Sequence, residues 1–233
     1  MLNTIHHPAT GTPTHPPLLI AHGLFGSGRN WGVIARRLAD TRDVWAVDMR
    51  NHGESPRMPT HSYPDLAADL SATIRHIAAP MDLLGHSMGG CIGLRAALRG
   101  LPFRALAFSA PMWGISLAAW MRPLASVVAQ VSVWMRQAHR YAPTTGGTTY
   151  VLSVPFAGNV LTTDAEMWDY MRRQMAEAPD LALGGPSMGW LHAALRECAA
   201  LSAQPCPALP CVTALGTAEK VVDTAPIHLR MAA

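Results

Sequence analysis

The sequence predicts an α/β fold: a mostly parallel sheet, helices on both of its faces, and a helical insertion ahead of the last strand. Three observations predict it. Short apolar runs alternate with helix-like segments through the first half of the chain. Those runs are continuously apolar, as strands covered on both faces must be. The alternation then stops near residue 112 and returns as a single apolar run at Cys211.

Each element has its own local reason. PPLLIAHG, residues 16–23, reads as a buried strand, and the segment 30–38 as a helix with Ser27 and Asn30 as candidate caps. DVWAVDMR, residues 43–50, is a second strand. Residues 63–77 bring Leu66, Leu70, Ile74 and Ile77 onto one helical face. MDLLG (81–85) is a third strand, 88–99 a third helix, and RALAFSA (104–110) a fourth strand. Beyond Met112 the apolar spacing becomes threes and fours: Leu117, Trp120, Met121, Leu124, Val127, Val128, Val131, Trp134 and Met135. Segments 166–178 and 190–201 are helical by the same test. After the proline-rich SAQPCPALP (202–210), CVTALG (211–216) is a strand and 224–233 begins a further helix. His6, His7 and His15 lie in an N-terminus that reads as irregular. The expected division is a core of residues 1–111 and 201–233 with a helical cap at 112–200.

Composition removes several classes. Of 233 residues, 49% are hydrophobic and 14% charged, which excludes a disordered chain. A net charge of +3 gives no case for nucleic acid. Four scattered cysteines are too few for a disulfide scaffold, and the single C-x4-C pair, Cys206 and Cys211, does not make a zinc site. No metal or organic cofactor is expected. The N-terminus has neither a charged n-region nor an apolar h-region. The most apolar stretch, 115–134, holds Arg122 and Pro123, and a central arginine costs about 2.5–3.5 kcal/mol in a spanning helix. A cytoplasmic protein is the expectation, with the number of copies left open.

The most informative motif is LLGHSMGG, residues 83–90: G-x-S-x-G directly after a strand and directly before a helix. A chain reversing there raises the Ser87 hydroxyl above the C-terminal edge of the sheet, over a helix N-terminus that favours negative charge. Gly85 and Gly89 leave room for the turn and Gly90 for close helix packing. GPSMG at 185–189 matches the same pattern, but only a short apolar run precedes it, so Ser187 is expected to be a helix N-cap. AHGLFGSGRNW, residues 21–31, follows the first strand. Its small residues fit a loop that offers a backbone N–H to an oxyanion, here that of Leu24, with the N–H of Met88 as second donor. DMRNHGES, residues 48–55, reads as a structural loop at the sheet edge.

HGLFGS, DMRNHGES and GHSMGG, in this order and spacing, resemble the α/β-hydrolase fold superfamily. Residues 1–90 resemble the small YbfF-type esterases through the D-x-R-N-H-G loop. Residues 91–233, with AFSAPMWGI, TTGGTTY, GNVLTTD and LALGGPSMGWLHAA, resemble the lysophospholipase and monoacylglycerol-lipase branch. The apparent join falls at GHSMGG, which both branches share. The resemblance implies a serine hydrolase cleaving carboxylic esters through an acyl-enzyme, with Ser87 as nucleophile.

It also implies a chain order of serine, acid, histidine. The lipase branch carries its acid in a G-x-x-D turn after the next-to-last strand. The matching turn here is Gly216-Thr217-Ala218-Glu219, which makes Glu219 the candidate acid and Asp223 the alternative. The family's histidine follows a last strand that this sequence does not reach. His228 alone lies downstream of Glu219, and a solvated helical histidine is the better reading of it. The expectation is therefore a hydrolase cut short before its general base, lacking the last strand and helix and weakly activated. The alternative is an inactive or incomplete member that binds an acyl ligand.

Between residues 112 and 190 lie five of the seven Trp and seven of the thirteen Met. Thioethers and indoles suit an acyl-chain pocket, and equally the private core of a lid. No Asp or Glu but six Arg occur between Leu83 and Thr163. A basic, apolar, Trp-bearing cap fits peripheral contact with anionic lipid surfaces, and an arginine-biased composition accounts for it as well. The implied substrate is a lysophospholipid, a monoacylglycerol or a small acyl ester.

Overall fold

The computed structural model describes residues 1–77, 80–118 and 120–232. Its strands are β1 (Thr4–His7), β2 (Leu18–Ala21), β3 (Val44–Val47), β4 (Met81–His86), β5 (Phe103–Ser109) and β6 (Cys211–Ala214). Its helices are α1 (Gly32–Leu38), α2 (Tyr63–Ile77), α3 (Met88–Leu98), α4 (Met121–Trp134), α5 (Tyr150–Ser153), α6 (Ala165–Glu177), α7 (Met188–Ser202) and α8 (Thr224–Met231). The last residue of the predicted terminal helix, Ala233, lies outside the described residues.

The strands form one sheet in the order β1-β3-β2-β4-β5-β6, parallel except for β1. Both faces are covered, and β2 shows how. Leu18 and Ile20 pack with Ala35 and Ala39 from α1 and its C-cap, while Leu19 and Ala21 face the larger cluster built on α2 and α3. With side chains alternating between two apolar layers, the whole strand reads as apolar. This is the α/β-hydrolase arrangement that the motifs imply.

The N-terminal segment departs from the irregular reading. Thr4–His7 pairs antiparallel with β3, and the His6 ring stacks on Trp45 at 3.8 Å between centroids. TIHH carries no apolar alternation, so only the exposed edge of β3 selects the strand.

The helical segment divides by packing. Ala129 of α4, Ala142 and Met188 of α7 form a small separate cluster with Leu191. Farther along α7, Ala194 and Leu201 join the main core, and buried Glu197 pairs with Arg95 of α3. Met112, Trp113 and the second half of α7, assigned by the sequence to the cap segment, thus pack with the core. The outer side of α4 faces solvent, with Trp134 and, just before the helix, Trp120 at 81% and 72% exposure. Among the described residues no helix is long and apolar enough to cross a membrane.

Candidate active site

β4 delivers the chain to Ser87, and α3 starts at the next residue. Ser87 holds φ +49°, ψ −115°, a region that side-chain-bearing residues rarely occupy. Four backbone bonds fix it there. Its N–H donates to the carbonyl of Ser109 (3.0 Å), and its carbonyl accepts from Gly90, Cys91 and Met112 (3.0, 3.2 and 2.9 Å). α3 can start so close to the sheet because residue 89 is glycine: a Cβ there would lie 2.1 Å from the Ala21 carbonyl oxygen. Ser87 is half-buried, and among the described residues its hydroxyl has no hydrogen-bond partner.

The second G-x-S-x-G match behaves differently. Ser187 is extended (φ −82°, ψ 161°), and its Oγ accepts from the Trp190 N–H at 3.1 Å, capping α7 as the sequence predicts. One pattern thus yields two backbones. Only the one preceded by a buried strand is forced into the reversed turn.

The loop Gly23–Ser27 lies against Ser87: a Cβ at Gly23 would be 3.1 Å from the Ser87 Cβ. The amides of Leu24 and Met88 donate to no protein acceptor among the described residues. The Met88 amide is free because the first amides of a helix have no partner within it. His22 holds the loop from below. Its Nε2 accepts from the Met49 N–H (2.9 Å), so its proton sits on Nδ1, which donates to the Gly23 carbonyl (2.7 Å). Burial, then the neighbouring His52, push its pKa down to about 3, so the ring stays neutral. The Asp48 carboxylate ties in the next segment, accepting from Gly28 N (2.7 Å), Asn3 Nδ2 (2.8 Å) and Glu54 N (2.9 Å). The D-x-R-N-H-G segment is thus structural, as read from sequence. Its hub role was not legible, because all three donors come from distant or irregular segments.

Buried His52 and half-buried His61 continue this histidine cluster, with ring centroids 5.1 Å from His22 to His52 and 5.6 Å from His52 to His61. Burial lowers both, that of His61 to about 4. His86, next to Ser87, turns its Nδ1 to Ser109. Burial lowers its pKa, opposed by the hydrogen bond to the Ser109 carbonyl and by the charge of Glu219.

Glu219 sits in the turn after β6, its Oε1 accepting from the amides of Val221 (2.6 Å) and Val222 (3.0 Å). Asp223 spends one oxygen capping α8 through the Ala225 N–H (3.1 Å) and the other on Arg122 (2.7 Å). His228 is exposed on α8, and no side-chain hydrogen bond joins it to a described residue. The structure therefore sets Met88 directly after Ser87 at the start of α3 and the Gly23 end of the loop against the same serine. It brings no histidine side chain into hydrogen-bond contact with the Ser87 hydroxyl among the described residues. No group of three or more described His, Cys, Asp or Glu side chains is placed to hold a metal.

Comparison with known proteins bears on the family and the fold. Esterase YbfF of Escherichia coli is 45% identical over 92 residues, 38% of this chain and 35% of that protein. The sn-1-specific diacylglycerol lipase of Mus musculus is 39% identical over 92 residues, 30% of that protein. The chain thus spans about a third of the length of the curated relatives it matches. Over the whole chain the fold is shared with the monoacylglycerol lipase of Paleococcus ferrophilus (TM-score 0.74, 18% identity, 98% of this chain and 82% of that one). It is shared equally with the Saccharomyces cerevisiae monoglyceride lipase (TM-score 0.73, 16% identity, 99% and 78%). The Hydrolase_4 family model, described as serine aminopeptidase, S33, matches residues 12–233, and with the fold and the Ser87 turn this places the chain in that family of α/β-hydrolases.

Proposed function

We propose that the chain carries the acylation site of a carboxylic-ester hydrolase. One observation carries this reading. A strained serine starts α3 against the Gly23 end of the loop, and among the described residues its hydroxyl and the amides of Leu24 and Met88, next in sequence to Gly23 and Ser87, have no protein partner. In acyl transfer the Ser87 oxygen attacks the ester carbonyl, and the two amides receive the charge that develops on the carbonyl oxygen. Such donors are worth about 3–4 kcal/mol in well-studied cases. Collapse of the tetrahedral intermediate expels the alcohol and leaves an acyl-serine, which water then hydrolyses. Glu219 has the place of the acid that orients an imidazole. Asp223 is the weaker candidate because both of its oxygens are engaged. His228, exposed on α8, remains the weak candidate base.

The substrates named for the esterase and lipase relatives support a lipid-like or small acyl ester. The apolar, acid-free outer side of α4 supports a cap that rests on lipid.

A fluorophosphonate probe tests the reading directly, since it labels only a nucleophilic serine. Labelling is expected on the full chain, lost in Ser87→Ala and retained in Ser187→Ala. Absence of labelling with retained binding of a fatty-acyl ligand would establish the binding-only alternative instead.

A further inference from the structure

We propose that Gln174, on the cap helix α6, is a positioning residue for the loop that carries Leu24, acting through Asn30. The inference rests on the acyl-transfer reading for what the loop does, and on hydrogen-bond geometry for the link itself.

The loop Gly23–Ser27 is suspended between two anchors. The inner one is His22, buried and bonded on both ring nitrogens. The outer one is Asn30, whose Oδ1 accepts from the Ser27 N–H at 2.7 Å. That bond fixes the amide's orientation, because a backbone N–H can only donate and must face the oxygen. The Asn30 Nδ2 therefore points the other way, where it donates to Gln174 Oε1 at 2.8 Å. This in turn fixes the Gln174 amide, whose Nε2 reaches the Tyr170 hydroxyl at 2.8 Å. A directed chain of donors thus runs from the outer end of the loop to the cap: Ser27, Asn30, Gln174, Tyr170.

The link matters because, among the described residues, it is the one side-chain hydrogen bond between the residues lining the two walls. A crevice of about 150 Å³ lies between them, lined by Ser27, Arg29 and Asn30 on the loop side and Gln174, Ala178 and Leu181 on the cap side. Between those walls Asn30 touches cap and loop at once, one side-chain atom for each. Phe25, within the loop, is held at φ +64°, a conformation that local preference does not maintain by itself. A cap that shifts therefore pulls on the segment bearing the Leu24 amide, and a seated cap holds it.

The test compares Gln174→Leu, which removes the acceptor, with Gln174→Glu, which keeps it, on the whole chain. Two readouts are needed: amide hydrogen exchange at residues 24–27, and the second-order rate of fluorophosphonate labelling at Ser87. One solvent-exposed hydrogen bond corresponds to a change of about two- to threefold. Gln174→Leu is expected to speed exchange at 24–27 by that factor and slow labelling by a similar one, with β4 and α3 unchanged. Gln174→Glu is expected to restore both. Unchanged loop exchange in Gln174→Leu overturns the link, as does faster exchange spread across β4 and α3. Altered exchange with unaltered labelling overturns the positioning role. A wild-type chain that fails to label refutes the acyl-transfer reading and the positioning role with it, while the exchange comparison still judges the tether.

Discussion

Acid should unfold this protein from within, through rings that cannot be charged where they lie. In the native state His22 titrates at about 3 and His61 at about 4, both lowered chiefly by burial. In the unfolded chain each returns to about 6.5. Above that pH both states are neutral, and these rings add no pH dependence. As pH falls below it the unfolded chain takes up protons that the native state refuses, so stability is lost progressively towards pH 3–4. From pH 7 to 5 each of the two rings costs about 2 kcal/mol, and near pH 5 together they give a slope of about 2.5 kcal/mol per pH unit. His52 and His86, lowered by burial too, act in the same direction. Against a total stability of about 5–15 kcal/mol that loss is large. Guanidinium unfolding between pH 7 and 4.5, extrapolated linearly to water at each pH, measures it. His61→Gln removes one titrating ring and should lower the slope near pH 5 by close to one proton. A wild-type slope below one proton per molecule between pH 6 and 5, or an unchanged slope in His61→Gln, would refute the neutral buried cluster.

Two further outcomes follow from the same contacts. Asp48→Ala strips three N–H donors of their carboxylate, one of them the buried Gly28 amide, and should cost about 3–5 kcal/mol in denaturant unfolding. Asp48→Asn should cost less, since one oxygen is kept; equal losses would contradict the hub. If the cap meets lipid, Trp120 and Trp134 carry the contact, and replacing both by Ala should weaken vesicle co-sedimentation about tenfold or more. Binding indifferent to anionic lipid content would remove the role of Arg122, Arg136 and Arg140.

Much of the fold was legible because strand and helix periods are local. The runs at 16–23 and 43–50 each contain a strand, those at 81–85 and 104–110 each miss one end of theirs by a residue, and the helix at 63–77 is matched end to end. β1 was not legible. Nothing in Thr-Ile-His-His prefers a strand, and its pairing partner is Val44–Val47, far along the chain. The site divides in the same way. Ser87 could be found because a glycine-bounded turn between strand and helix leaves a mark in adjacent residues. The link from Asn30 to Gln174 leaves none, since its two halves are far apart in sequence and each is an ordinary polar residue on a surface segment.

The sequence by itself determined the sheet's buried strands, the serine raised between β4 and α3, and the family. These depend on short-range sterics and apolar period, which neighbouring residues dictate. Tertiary structure alone decided that His22 is a neutral anchor and that Asp48 joins three segments. It also decided that α7 belongs half to the core. Each of those depends on which distant groups meet in a low-dielectric interior, and burial sets both the cost of an unmet hydrogen bond and the charge a ring can carry.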